Sequence, residues 1–574
     1  MKHRLAILVI LMLLPFFLVR AQHQYPKDYF RSPVDFHVSL AGSFGEIRKN
    51  HFHSGIDIRT EGVQGKPVYA IADGYVSRIN VSAGGFGKAL YITHPNGYTS
   101  LYGHLKGYAG SIAGWVKAQQ YKKESFAIDV EVPPGILKVK KGELVAWSGN
   151  SGASGGPHLH FEIRDAGTQE IIDPLDFGFM KAGGITPEIN YVKIYPYDDN
   201  SMVNLTANPL LIPVTGSNGH YSLKLVDSVK VSGNIFFGIE TIAIAEGGMK
   251  TGVHNITLSV DGAIVYTQNI DRFAFSETRY VNSLMDYPAF LQNRRKIQRS
   301  YVAPNNKLSV YSAVKNRGVV NFADAKAHKI QYVVRDAFGQ ASTLEFWVMS
   351  HPPANQGGIS KPVNSGSQMM SYKADNHFEQ QNIRFDVPKE AIYEDLPFEY
   401  QVTQPVKGSY AGVHHLHNEY TPLHTFCTLS IKAENLPKNL TDKAVIVAVS
   451  PGNTFASKGG TCENGWVTTK IRDFGNYTVT VDTEPPVIKP VNIFPNKKVK
   501  KQFSIMMKLN DNLSGIKTYR GTLNGKWILM DYDEKNRLLT YVFDEVMRPG
   551  KNIFVLRVTD GVGNSTRYEA ALIR

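Results

Sequence analysis

Apolar positions in the first third of the chain come in short runs with a two-residue period, separated by turn signals. Pro67-Val68-Tyr69-Ala70, Tyr75-Val76-Ser77-Arg78-Ile79 and Ala89-Leu90-Tyr91-Ile92-Thr93 are such runs. Alternation sends successive side chains to opposite faces, so each run predicts a strand with one buried face. Asp73-Gly74 and Asn96-Gly97 fall between runs and predict tight hairpin turns, because such turns need the positive φ that Asn, Asp and Gly tolerate. Residues 22–185 therefore read as a small antiparallel β domain. One segment departs from the pattern: Ile112, Trp115, Val116 and Gln119 repeat at near-helical spacing and predict a short helix over 111–123.

From about Gly184 onward regularly spaced strands continue, with few helical stretches. His351-Pro352-Pro353 with Gln356-Gly357-Gly358 reads as a linker, and Asp482-Thr483-Glu484-Pro485-Pro486 as another. They mark out three β domains, 186–352, 360–481 and 485–574. Residues 329–339 and 552–563 resemble each other, each an alternating strand that closes on an Asp-x-x-Gly turn. That is the form of the last hairpin of an immunoglobulin-like sandwich. The fold class expected is mainly β.

The N-terminus has a different pattern. Lys2, His3 and Arg4 precede an apolar run over 5–19, broken by Pro15, and Val19 and Ala21 stand at the spacing that a signal peptidase reads. Residues 1–21 are expected to be a cleaved signal peptide, because fifteen apolar residues fall short of the roughly 20 that a membrane span needs. The protein is then exported, to the periplasm, the outer surface or the medium, with no transmembrane span left after cleavage. In an oxidising compartment Cys427 and Cys462 predict one disulfide within the β domain 360–481.

With 574 residues, 43% of them apolar and 20% charged, the chain can bury several cores, and wholesale disorder is excluded. The formal net charge of +13 suggests an anionic partner. Three of the basic residues, Lys2, Arg4 and Arg20, lie in the leader, and residues 22–185 are nearly balanced, so the excess sits in the appended β domains. Arg294-Arg295-Lys296 with Arg299, and Lys497-Lys498 with Lys500-Lys501, are the candidate contacts with anionic envelope polymers. For an exported chain no nucleic acid is expected.

Candidate chemistry concentrates in the first domain. His53-Ser54-Gly55-Ile56-Asp57 sets an imidazole and a carboxylate four apart, where Gly55 and Ile56 argue for a strand or bend rather than a helix. His158-Leu159-His160 puts two imidazoles on one side of a strand, with Leu159, Phe161 and Ile163 facing the core. Tyr102-Gly103-His104-Leu105 adds a third segment. Two histidines, one carboxylate and an open position meet the ligand needs of hydrolytic zinc, and further histidines can move protons or stabilise charge. His51, two before His53, and the pair His415 and His417 repeat the spacing as decoys, and the pair, with no His-x-x-x-Asp partner in its own domain, reads as surface.

Together with Gly65-Lys66-Pro67-Val68-Tyr69-Ala70, Asp73-Gly74-Tyr75-Val76 and Gly156-Pro157-His158-Leu159-His160-Phe161-Glu162, these segments resemble the lysostaphin-type (LytM, M23) zinc metallopeptidases over about residues 40–178. The resemblance implies a small antiparallel β metallopeptidase domain, followed here by several β-sandwich (immunoglobulin-like) domains. It also implies one Zn2+ per chain held by His53, Asp57 and His160, with His158 as base and His104 as its partner. The substrate it implies is the peptide cross-bridge of bacterial peptidoglycan. A non-catalytic wall-binding or hydrolase-activating protein, and a zinc protease acting on proteins, are the alternatives. Relative to a minimal member, extra residues fall around 108–137, read either as a tolerated surface insertion or as an added groove wall or lid.

Overall fold

The computed structural model describes residues 24–180, 185–224, 228–352 and 368–574. The expected leader lies outside them, as does the first linker apart from His351 and Pro352. The first domain is built on the strands β1 (Leu40–Gly42), β2 (Ile56–Arg59), β3 (Pro67–Tyr69), β4 (Gly74–Val81), β5 (Lys88–Thr93), β6 (Tyr98–Gly103) and β7 (Gly107–Tyr108). After them come helix α1 (Gly110–Lys123) and strands β8 (Ile128–Glu131), β9 (Leu144–Trp147), β10 (His158–Asp165) and β11 (Ile171–Ile172). The main sheet runs β1–β2–β10–β6–β5–β4–β8, and β3, β9 and β7 form a second, three-stranded sheet. Asn96-Gly97 makes the hairpin turn between β5 and β6. Asp73-Gly74 makes none, because β3 pairs with β9 and so leaves for the other sheet.

The inward residues of both sheets close one core that includes Ile58, Val76, Ile79, Leu90, Ile92, Tyr102, Leu159, Phe161 and Ile163. Full burial of each large apolar side chain stabilises the fold by about 1.5–3 kcal/mol. This core holds the central strand β10 in place, and β10 carries two of the histidines of interest.

The extra segment is α1 with the strands after it. Ile112, Val116 and Gln120 face the core, and β8 pairs antiparallel with β4, Ile128 opposite Val81. The outer face of α1 receives the last domain. Tyr121 hydroxyl donates to Asp544, Lys117 pairs with Asp544 at 3.2 Å and with Glu545 at 3.0 Å, and Arg520 pairs with Glu124 at 2.5 Å. The Tyr121 and Trp527 rings meet edge to face at 5.1 Å. The insertion is thus neither an idle surface loop nor a free lid but the platform on which the chain's end is seated.

The second domain also joins the first. β11 pairs with β12 (Arg272–Phe273), and Phe44, Phe52 and Ile171 share a core with Phe273, Tyr280 and Leu284. The third domain has a sheet in which β13 (Pro422–Lys432), β15 (Trp466–Asp473) and β14 (Thr461–Glu463) lie in that order. The Asp-x-x-Gly turns at 336–339 and 560–563 close the last hairpins of the second and fourth domains; Asp560 Oδ1 accepts from Val562 and Asn564 N–H.

The expected disulfide is absent: Cys427 and Cys462 are free thiols. Cys427 sits on β13 opposite Ile471 of β15, and Cys462 on β14 opposite Val467 of β15, so a whole strand separates them. Two strand spacings amount to about 10 Å, beyond the roughly 7 Å that a disulfide bridges between Cα atoms. Shared compartment and shared domain do not suffice when β15 intervenes.

Two measurements follow from these contacts. Under denaturing, non-reducing conditions two thiols should titrate per chain, while in the native protein only Cys462 reacts, because burial pushes the Cys427 thiol up to about 12. Fewer than two thiols would contradict this arrangement. At the contact of the first two domains, His254 Nε2 lies 2.7 Å from Asp173 Oδ2. Burial opposes its charge, but Asp173, Asp176 and Asp271 raise its pKa to about 9. The native state therefore holds the proton more tightly; this stabilisation is complete below about pH 6.5 and lost as pH rises through about 9. The melting temperature should fall more steeply across that window in the wild type than in His254→Gln, and parallel curves would refute the assignment.

Candidate metal centre

The two-residue period of β10 puts His158, His160, Glu162 and Arg164 on one face, with fully buried Leu159, Phe161 and Ile163 on the other. His160 stands opposite Asp57 of β2 on one side and opposite Gly103 of β6 on the other. The chain bends just before β2 and carries His53 over the same strand. Gly55 lets that bend lie flat, since a Cβ there would stand 2.3 Å from the Phe161 carbonyl oxygen. His104 follows β6 with a left-handed φ of 56°, a strain on the order of 1–3 kcal/mol. Its N–H bonds the Phe86 carbonyl at 2.8 Å. All five residues singled out in the sequence meet here. His51 is instead exposed beside its own Lys49 carbonyl, and His415 bonds Asn476 within the third domain.

His53 Nε2, Asp57 Oδ1 and His160 Nδ1 are separated by 3.0, 3.1 and 2.9 Å. Donor atoms arranged tetrahedrally at about 2.0–2.1 Å from a cation stand roughly 3.3 Å apart, so the triangle has the right size for a metal ion. The outer contacts also fit. Ser43 carbonyl accepts from His53 Nδ1 at 2.7 Å, which leaves the Nε2 lone pair facing the triangle. Glu162 Oε1 accepts from His160 Nε2 at 2.9 Å, which leaves Nδ1 facing it. Each imidazole is thereby fixed in the tautomer that a metal requires, by an outer acceptor of the usual kind.

The other two histidines flank the triangle. His158 Nε2 is 3.3 Å from Asp57 Oδ1, and its Nδ1 donates to the Gly156 carbonyl at 2.8 Å. His104 Nδ1 donates to the Ser151 carbonyl at 2.8 Å, and the His104 and His158 rings lie 4.8 Å apart. Both rings therefore turn Nε2 toward the site, that of His158 toward Asp57. Burial, with His160 and His158 nearby, pushes the His104 pKa down to about 3, so that ring is neutral.

Burial works against the Asp57 carboxylate, yet the ring nitrogens of His158, His160 and His53 gathered on it outweigh burial and hold its pKa far below the usual range. Its Oδ2 takes Arg48 Nη2 at 3.0 Å. Burial likewise opposes charge on Glu162, but Arg164 and His160 hold its pKa to about 2. For His160 burial is overridden by Asp57 and Glu162, which raise its pKa to about 9. Two carboxylates thus favour positive charge where the donor atoms converge.

Sequence reasoning gave no role to Glu162, Arg164 or Arg48. Glu162 and Arg164 extend the alternation that picked out His158 and His160, so the signal was the same period carried two steps further. Arg48 reaches Asp57 through a turn of the chain and left no mark in local spacing.

Residues 51–121 match the profile of peptidase family M23, and residues 367–482 that of a Zu5-like domain. An uncharacterized metalloprotease of Haemophilus influenzae is 32% identical over 155 residues, 26% of this chain and 27% of that protein. The DD-carboxypeptidase/endopeptidase Mpg of Neisseria meningitidis serogroup B is 35% identical over 112 residues, 20% of each chain. Lysostaphin of Staphylococcus simulans is 29% identical over 134 residues, 22% of each. The chain thus spans about a fifth to a quarter of the length of the curated relatives it matches. His53, Asp57 and His104 lie within the matched stretch, and the first domain of this protein carries a match to peptidase family M23 over residues 51–121.

Proposed function

We propose that this protein is an exported zinc endopeptidase that hydrolyses peptide cross-bridges of bacterial peptidoglycan. One observation carries the reading: His53, Asp57 and His160 aim their donor atoms at one point, in tautomers set from outside, with the imidazoles of His104 and His158 beside them. Two nitrogens and one oxygen suit zinc and leave one tetrahedral position open. The names of Mpg and lysostaphin support a wall substrate.

Zinc held there supplies Lewis acidity toward the scissile carbonyl and toward a water nucleophile. The chain's own groups do the rest. His158, whose side chain is 13% exposed, is the most open of the three imidazoles around Asp57. Its Nε2 accepts the proton of the attacking water and returns it to the leaving amine. His104 presents Nε2 as an acceptor only, because Nδ1–H is spent on Ser151, so it orients the water rather than donating to the oxyanion. Arg48 and Glu162 keep Asp57 and His160 aimed.

Export rests on the leader-like residues 1–21, and no helix among the described residues is long and apolar enough to cross a membrane. The β domains position the peptidase domain in the envelope. Arg295 and Lys296 pair with Glu240 and Glu46 inside the chain. Lys498, Lys500 and Lys501 remain exposed and are the side chains for anionic envelope polymers.

The purified protein should contain one zinc per chain by elemental analysis. His160→Ala should abolish retention, and Glu162→Gln should weaken it by about 10–100-fold, as loss of an outer partner does. On purified sacculi the wild type should release muropeptides. His158→Ala should keep its zinc and slow release by about 10²–10⁴-fold, the usual share of acid–base catalysis. Zinc without release by the wild type, or cleavage of protein substrates alone, would overturn the reading.

A further inference from the structure

The Nδ1–H groups of His104 and His158 are both held by one loop. Residues 148–157 connect β9 to β10, and Ser151 and Gly156 in that loop accept the Nδ1–H of the two rings. Ser154 Oγ donates to the Gly156 carbonyl at 2.8 Å and stands 3.3 Å from His158 Nδ1. From inside, the first domain holds the loop through Ala153 N–H to Gly85 carbonyl at 2.8 Å and Ser151 Oγ to Leu105 carbonyl at 2.8 Å. Gly152 packs so close that a Cβ would stand 2.3 Å from Gly87 N.

From outside, the loop is held by the chain's last domain. Lys535 lies in the turn between strands β16 (Asp531–Asp533) and β17 (Leu538–Val542). Its Nζ donates to the Asn150 carbonyl, to Asn150 Oδ1 at 2.9 Å and to the Ser154 carbonyl at 3.1 Å, with the Gly152 carbonyl at 3.4 Å. Three ammonium protons face four oxygens of one loop. From β16, Asp531 pairs with Lys88, whose own N–H bonds Ser151 Oγ at 2.9 Å. The contacts with α1 keep this hairpin in place.

We propose that Lys535 is a positioning residue for the peptidase site: it fixes the loop that sets the tautomer and aim of His104 and His158, and it leaves the metal-holding set alone. The metal-holding residues are independent of Lys535 because their outer partners, Ser43 and Glu162, belong to other elements. The last domain is therefore a working part of the site, and the inference rests on the hydrolytic reading above.

The test compares full-length wild type with Lys535→Met, which keeps the stem and removes the donors, and Lys535→Arg, which keeps charge. In Lys535→Met, amide hydrogen exchange over 150–156 should quicken by about 10-fold or more, with 56–59 and 158–163 unchanged. Zinc content should stay at one per chain, kcat on sacculi should fall by about 10-fold with KM nearly constant, and Lys535→Arg should recover part of the loss. Unchanged exchange in the loop, or loss of zinc together with activity, would overturn the proposal. If Lys535→Met does not fold, Asp531→Asn should show the same exchange change confined to the loop, and its absence there would count equally against it. The exchange measurement needs no substrate, so a wild type inactive on sacculi would sink the hydrolytic reading and leave this one separately decided.

Discussion

One carboxylate oxygen organises the first domain. Asp57 Oδ1 lies within 3.3 Å of nitrogens from His53, His158 and His160. A buried charge surrounded by three rings is tolerable only if every ring has its other nitrogen satisfied elsewhere. Ser43, Gly156 and Glu162 meet that condition. The demand spreads outward from there: Glu162 needs Arg164, and Asp57 Oδ2 needs Arg48. Much of what surrounds the site, including the bend at Gly55 and the loop before β10, answers to that single oxygen.

Much of this was legible in the sequence, for reasons of period. A strand repeats every two residues, so His158 and His160 had to share a face, and Leu159, Phe161 and Ile163 had to form the other. The helix at 110–123 was visible through Ile112 and Val116 for the same kind of reason, at a different spacing. What stayed hidden depends on neighbours distant in the chain. Cys427 and Cys462 satisfied every local expectation of a disulfide, and only the order of strands, with β15 between them, keeps them apart. Arg48 and the seat for the last domain on α1 likewise follow from tertiary proximity, which no spacing rule encodes. The pairing of Asp73-Gly74 failed because turn chemistry says that the chain reverses, not which sheet it enters next.

The domains are also less separate than their linkers suggest. β11 carries a ladder into the second domain, a common aromatic core lies beneath it, and the fourth domain returns to the first through Tyr121, Lys117 and Glu124. Isolated surface ion pairs contribute little. Several of them around the Tyr121–Trp527 contact and the Lys535 turn act together on one small area, and together they give the last domain a defined seat.

That seat has a consequence for the order in which the molecule is made. The contact between Lys535 and Asn150 joins residues 385 positions apart. A chain synthesised from its N-terminus folds its early domain first, and the fully buried residues of the first domain's main core fall within residues 30–177, with Tyr519 and Leu529 of the last domain packing on its edge. His53, Asp57 and His160 are therefore all synthesised long before residue 535. With the positioning role proposed for Lys535, the nascent protein passes through a stage in which the loop beside His104 and His158 still lacks that contact. Maturation of the site ends with the arrival of the chain's last hairpin.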